Sequence, residues 1–128
     1  QAEAWLAPMV QRGTALVAHV DGRPQKIVGF AVAGAWHSYE GYARTVEDSI
    51  YLSPAVQGHG LGSRLLAALI EASRAAGDRT MIALVEAGNV ASVRLHERYG
   101  FTIVGTVPQA GEKLGQLLDL TLMSRSLH

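Results

Sequence analysis

Residues 57–66 read QGHGLGSRLL, three glycines at alternate positions running straight into a helical apolar pattern. Ahead of them Thr45 to Leu52 (TVEDSIYL) reads as a strand that stops at Ser53 and Pro54. Behind them Leu61, Leu65, Leu66, Leu69 and Ile70 share one face of a helix lasting to about Ala76, with Gly77 as its C-terminal cap. Thr80 to Glu86 (TMIALVE) then reads as a buried strand, and a right-handed crossover lays the two strands parallel. Such a unit puts bare backbone between a strand end and a helix N-terminus. Free N–H groups and the positive end of the helix dipole make that corner an anion cradle. A tight turn needing positive φ is the plainer reading. Three alternating glycines favour the cradle.

The remaining segments fit around this unit. Ala2 to Arg12 carries Trp5, Leu6, Met9 and Val10 at helical spacing, with Gly13 as a stop. Thr14 to Val20 and Lys26 to Trp36 are apolar, β-branched runs joined by DGRPQ, and read as an antiparallel hairpin. HSYEGYAR reads as a loop of the kind that lines sites. Asn89 is placed to cap a second helix running to about Tyr99, with Gly100 at its end, followed by strands over Phe101 to Val107 and Gln116 to Ser124.

At 128 residues the chain has room for one compact domain. Lysine plus arginine and aspartate plus glutamate number 11 each, so no global field points to nucleic acid or an anionic membrane. The absence of cysteine excludes a disulfide framework, a cysteine nucleophile and thiolate ligands, and fits a reducing, cytoplasmic setting. His19, His37, His59 and His128 have no ligand-like spacing, so no metal site is expected. No apolar run approaches the roughly 18 residues of a membrane span, and QAEAWLAPMVQR lacks the apolar core of a signal peptide. The first residue is glutamine, so the natural start is expected to lie upstream.

Two nucleotide motifs fail on spacing. A Walker loop needs a lysine after its glycines, and none follows here. A dinucleotide fingerprint counted from Gly58 places its last glycine at Ser63. What fits is Gln57-x-x-Gly60-x-Gly62, which resembles the Gln/Arg-x-x-Gly-x-Gly/Ala segment of the GNAT (Gcn5-related) N-acetyltransferases. TVEDSIYLSP ahead of it, EAGNVASVRLHERYGF behind it and the terminal LLDLTLM are similar to the phosphinothricin and methionine sulfoximine acetyltransferase branch. The similarity covers most of the chain from about Val28 onward.

This resemblance implies an α/β fold: a mixed, largely antiparallel twisted sheet with helices on both faces and splayed parallel strands at its centre, where acetyl-CoA would lie. It also implies a cofactor site from Leu52 and Gln57 through Gly58, His59, Gly60, Leu61, Gly62 and Ser63. Arg64 is either an added charge on the pyrophosphate or a solvated helix residue. Asn89 caps its helix, and the resemblance adds a contact to the pantetheine arm. The family's first strand and helix find no counterpart here, which implies an N-terminally incomplete domain.

An alkyl amine with a pKa of about 10.4 is almost wholly protonated at pH 7, and freeing its lone pair costs roughly 4 to 5 kcal/mol, so a general base is expected. Glu47 interrupts the strand leading into the glycine turn and matches the family's TVE glutamate; otherwise it is a rim residue paired with Arg44. His96 stands where many members carry the tyrosine that protonates the departing thiolate; otherwise it is a packing residue. Trp36, His37, Tyr39 and Arg44 border the acceptor loop, although the arginines that grip a carboxylate in this branch have His37 and Ala43 in their places. The implied activity is direct acetyl transfer to a small-molecule primary amine, with a strand N–H near Leu52 facing the oxyanion, and with a homodimer implied by the family. The alternatives are an acyl-CoA-binding regulatory domain, a protein or peptide amine as acceptor, and a nucleotide-binding module.

Overall fold

The computed structural model describes residues 13–20, 23–36, 40–58 and 60–128. The helix expected over 2–12, with Trp5, and the tip of the first hairpin at 21–22 lie outside the described residues. Six strands form one sheet: β1 (Ala15–Val20), β2 (Arg23–Ala35), β3 (Thr45–Leu52), β4 (Thr80–Glu86), β5 (Thr102–Lys113) and β6 (Gln116–Ser126), in the order β1-β2-β3-β4-β6-β5. All neighbours are antiparallel except β3 and β4. Two α-helices, α1 (Leu61–Ala75) after β3 and α2 (Val90–Arg98) after β4, and two short 3-10 turns, Glu40–Tyr42 and Pro54–Val56, complete the described chain.

Both crossovers step across the sheet in the same direction, from β3 to β4 and from β4 over β6 to β5. Right-handed connections therefore set α1 and α2 on one face. The side chains agree. Val46 of β3, Met81, Ala83 and Val85 of β4 and Met123 of β6 form one buried cluster with Leu65, Leu66, Leu69 and Ile70 of α1, and Val93 and Leu95 of α2 pack against it. Burying each of these large aliphatic side chains contributes about 1.5 to 3 kcal/mol. The alternate residues of β3 and β2, among them Tyr51 stacked on Phe30 at 5.7 Å, lie on the opposite face.

Each helix stops as its sequence predicts. Gly77 and Asp78 donate to Arg74 and Ser73 at the end of α1, and Gly100 and Phe101 donate to Glu97 and His96 at the end of α2, the paired bonds of a Schellman motif. Asp78 also takes the hydroxyl of Ser73, the one polar side chain buried on α1's inner face.

The last hairpin departs from the expected pattern. β5 continues past Val107 to Lys113, because Pro108, Gln109 and Ala110 bulge opposite the single residue Asp119 and pairing resumes at Gly111. The Asp119 carboxylate accepts the Gln109 N–H at 2.9 Å, so the side chain stands in for the interrupted ladder. Leu114 and Gly115, with φ of 53° and 78°, make the two-residue turn.

Candidate active site

The parallel ladder between β3 and β4 is short. It joins Thr45 to Thr80, Val46 to Met81 and Glu47 to Ile82, and there it ends. Over the same length β3 stays paired with β2 as far as Leu52, and β4 stays paired with β6 through Glu86. The two central strands therefore part, leaving a cleft that begins beside Glu47 and widens toward the glycine turn. One cavity of about 300 Å³ is lined by Glu47, Ser49, Leu84 and Glu86, among others. A second of about 310 Å³ is lined by Leu52, Gln57, Gly58, Gly62 and Leu95. Ile50, Asn89, Ser92 and His96 line both, so they are two ends of one cleft.

At the glycine end, Gly58 and Gly60 have φ of 85° and 76°, and Gly60 is the N-cap of α1 with no side chain bonded to the helix end. A Cβ added at either glycine would meet nothing among the described residues within 4 Å beyond its chain neighbours, so none of those residues closes the corner. The first intrahelical bond runs from Arg64 N to Gly60 O, which leaves the preceding N–H groups of the turn pointing out of the helix N-terminus. No acidic residue stands in the first turn of α1 to compete with a phosphate. Gln57 Nε2 donates to the Leu52 carbonyl at 3.3 Å, tying the end of β3 to the turn. These residues fit a coenzyme A pyrophosphate. Across the cleft, Asn89 Oδ1 accepts the Ser92 N–H at 3.1 Å, and this cap fixes the start of α2 against the opening.

At the other end Glu47 lies on the sheet face opposite α1 and α2, opposite Gly34 on β2. Partial burial, and then the neighbouring Asp48 charge, raise its pKa above the ordinary 4.5. Asp48 points the other way. It is buried beneath α2, where Oδ2 lies 3.0 Å and Oδ1 3.3 Å from His96 Nε2. His96 Nδ1 lies 2.8 Å from the Ser92 carbonyl, and the ring meets Phe101 edge to face at 4.9 Å. Burial disfavours the charged ring, but the Asp48 hydrogen bond, its negative charge and the Ser92 carbonyl outweigh it, and the His96 pKa lies above 6.5.

The cleft thus gathers Glu47, Leu52, Gln57, Gly58, Gly62, Asn89 and His96 from the residues read as functional. Ser63 and Leu61 are part-buried in the first turn of α1, whereas the Arg64 side chain is exposed and lines neither cavity. Trp36 and Arg44 sit at the closed end of β3. The Trp36 N–H donates to the Thr45 carbonyl at 3.1 Å, and Arg44 lines a separate cavity with Arg79. His37, Tyr39 and His59 lie outside the described residues. Among the described residues no three histidine, aspartate or glutamate side chains converge as metal ligands, and no helix is long and apolar enough to cross a membrane.

Asp48 is a buried residue of the cleft that sequence reading passed over. Its signal was present: with Val46, Ile50 and Leu52 it shares the inward period of β3, and a carboxylate at an inward position requires a buried partner.

Residues 3–101 match the acetyltransferase (GNAT) family. An L-methionine sulfoximine/L-methionine sulfone acetyltransferase of Pseudomonas aeruginosa is 42% identical over 125 residues, spanning 98% of this chain and 72% of that protein. The structure of yncA from Salmonella typhimurium, solved with its cofactor acetyl-CoA, superposes with a TM-score of 0.90 at 42% identity over 98% of this chain and 71% of that one. A phosphinothricin acetyltransferase from Sinorhizobium meliloti in complex with acetyl-CoA gives 0.86 at 36% identity over 98% and 68%.

Proposed function

Because the chain belongs to the acetyltransferase (GNAT) family, we propose that it transfers the acetyl group of acetyl-CoA to the primary amine of a small amino-acid-like molecule such as methionine sulfoximine or phosphinothricin. One observation carries the reading: a single cleft joins an open helix N-terminus made of glycines to a part-buried carboxylate, with a buried histidine between them. Acetyl-CoA supplies a thioester carbonyl that is already activated toward amines. The backbone N–H groups of Gly58 to Ser63 receive its pyrophosphate, and Leu52 and Asn89 flank the pantetheine arm.

Glu47 accepts the proton of the acceptor ammonium, directly or through water. Its pKa, raised by partial burial and by the Asp48 charge, makes it a better base than an exposed glutamate. His96 stands at the junction of the two cavities, where a positively charged ring favours the departing thiolate. Among the described residues no cleft side chain has the pairing of an activated nucleophile, which favours direct transfer over an acyl-enzyme. A homodimer in the cytoplasm completes the proposal. The exposed apolar side chains of the β5–β6 hairpin, Val104, Val107 and Leu117, support the dimer, and the cysteine-free composition fits the compartment.

The test is a panel of amines, including L-methionine sulfoximine, phosphinothricin and lysine peptides, assayed by thiol release, beside melting curves with acetyl-CoA, ATP and NAD. Acetyl-CoA should raise the melting temperature more than either nucleotide, and the amino-acid analogues should turn over fastest. Stabilisation by acetyl-CoA without turnover of any amine would reduce the protein to a binding domain, and preferred turnover of the peptides would replace the acceptor class.

A further inference from the structure

Asp48 and His96 are both buried and belong to elements far apart in sequence, yet among the described residues the Asp48 carboxylate bonds only to His96, and the His96 ring only to Asp48 and the Ser92 carbonyl. A carbonyl oxygen accepts only, so the proton on Nδ1 is committed to Ser92. Nε2 faces both oxygens of a carboxylate, which also accepts when ionised. The arrangement is satisfied when the ring carries a proton on each nitrogen. We propose that Asp48 is a positioning residue for acetyl transfer: its carboxylate holds the His96 ring, doubly protonated and in one orientation, at the junction of the acceptor and cofactor cavities. The inference rests on the proposed function for its chemistry but not for its geometry.

The charged groups around the ring allow this assignment. From β3 come Asp48 and, across the shared cavity, Glu47; from the end of β4 comes Glu86. From α1 the residue at the cleft is Gly62, which has no charge. On the ring's own helix Arg94, Glu97 and Arg98 are exposed, and from β6 Arg125 donates to the Tyr99 carbonyl at the end of that helix. Among the described residues, the one charged group in hydrogen-bonding contact with the ring is the Asp48 carboxylate. Without it a ring 3% exposed and packed on Phe101 would favour the neutral form. Glu47 and Asp48 are consecutive and point to opposite faces, so the same carboxylate also adds to the negative charge felt by the base.

The experiment uses Asp48→Asn, which keeps the shape and a hydrogen-bond acceptor but removes the charge. Imidazole nitrogen signals of His96, assigned with His96→Gln, are followed by NMR against pH in the ligand-free protein. The kcat and the acetyl-CoA KM are followed against pH with the best amine of the panel. In the wild type both ring nitrogens should be protonated at pH 7. In Asp48→Asn the ring should titrate at lower pH, and kcat should fall about tenfold, a fraction of what a full acid–base group contributes, with the acetyl-CoA KM within about twofold. A wild-type ring that is neutral at pH 7 would overturn the proposal even if the variant failed to fold. So would an unmoved titration or an unchanged kcat–pH profile in a folded variant. The ring's protonation is read without turnover, so a wild type that acetylates nothing counts against the proposed function and leaves the geometric assignment to the NMR result.

Discussion

Glu47 faces Ile82 in the last parallel pair before β3 and β4 separate, so the carboxylate stands where the cleft begins. As the proposed base there, it should be needed for turnover and not for binding the cofactor. Glu47→Gln should lower kcat by about a hundredfold or more at saturating acetyl-CoA, with little change in the acetyl-CoA KM. The acid limb of the wild-type kcat/KM profile should lie above the ordinary glutamate value of 4.5 and should disappear in the variant. Steady-state kinetics across pH checks both.

The glycines of the turn should separate folding from binding. Gly60 is in the left-handed region at φ 76°, so Gly60→Ala should cost about 1 kcal/mol in denaturant melts. Gly62 is within α1, and a Cβ there would lie in ordinary contact, 3.5 Å from Leu52 and 3.6 Å from Leu95. Gly62→Ala should therefore leave stability unchanged or raise it by up to about 1 kcal/mol, while weakening acetyl-CoA binding because it fills the cavity proposed to hold the cofactor. Calorimetric titration beside thermal melts tests the split.

Asn89 holds the entry of α2 through its bond to Ser92. Asn89→Ala should destabilise the protein by about 1 kcal/mol, and Asn89→Asp should recover most of that loss. Urea unfolding of the two variants gives the comparison.

The Asp48–His96 pair makes stability depend on pH in a defined direction. The folded His96 pKa is raised, so the stabilisation from protonating it is fully present below about 6.5 and is lost as pH rises through the higher folded value. The difference in unfolding free energy between wild type and His96→Gln should accordingly be larger at pH 6 than at pH 9. An equal difference at both would show that the ring contributes only its packing.

Leu114 holds φ of 53° at the tip of the last hairpin with 97% of its surface exposed. A two-residue turn with both φ values positive prefers asparagine before glycine. Leu114→Asn should raise stability by about 0.5 to 1 kcal/mol in thermal melts without affecting turnover.

Much of this architecture was legible in the chain because local chemistry and tertiary structure agree there. The apolar face of Leu65, Leu66, Leu69 and Ile70, the caps at Gly77 and Gly100, and Asn89 ahead of α2 each act within a few residues, and each is found where its pattern puts it. The glycine corner was legible for the same reason. Two features depend on distant partners and were not. The expected strand ends at Val107, ahead of Pro108, and only Asp119 on β6 shows how β5 continues past it. Asp48 reads as one more charge on a strand until α2 brings His96 over it, 48 residues later in the chain.

The unzipped centre of the sheet has a mechanical meaning. β1, β2 and β3 with α1 form one jaw, and β4, β6 and β5 with α2 form the other, hinged at three rungs and clamped by a common apolar interior. A molecule that grips both lips becomes a strut between them. Filling the mouth should then slow amide exchange in strands it never touches, because parting the jaws would mean letting go of the guest.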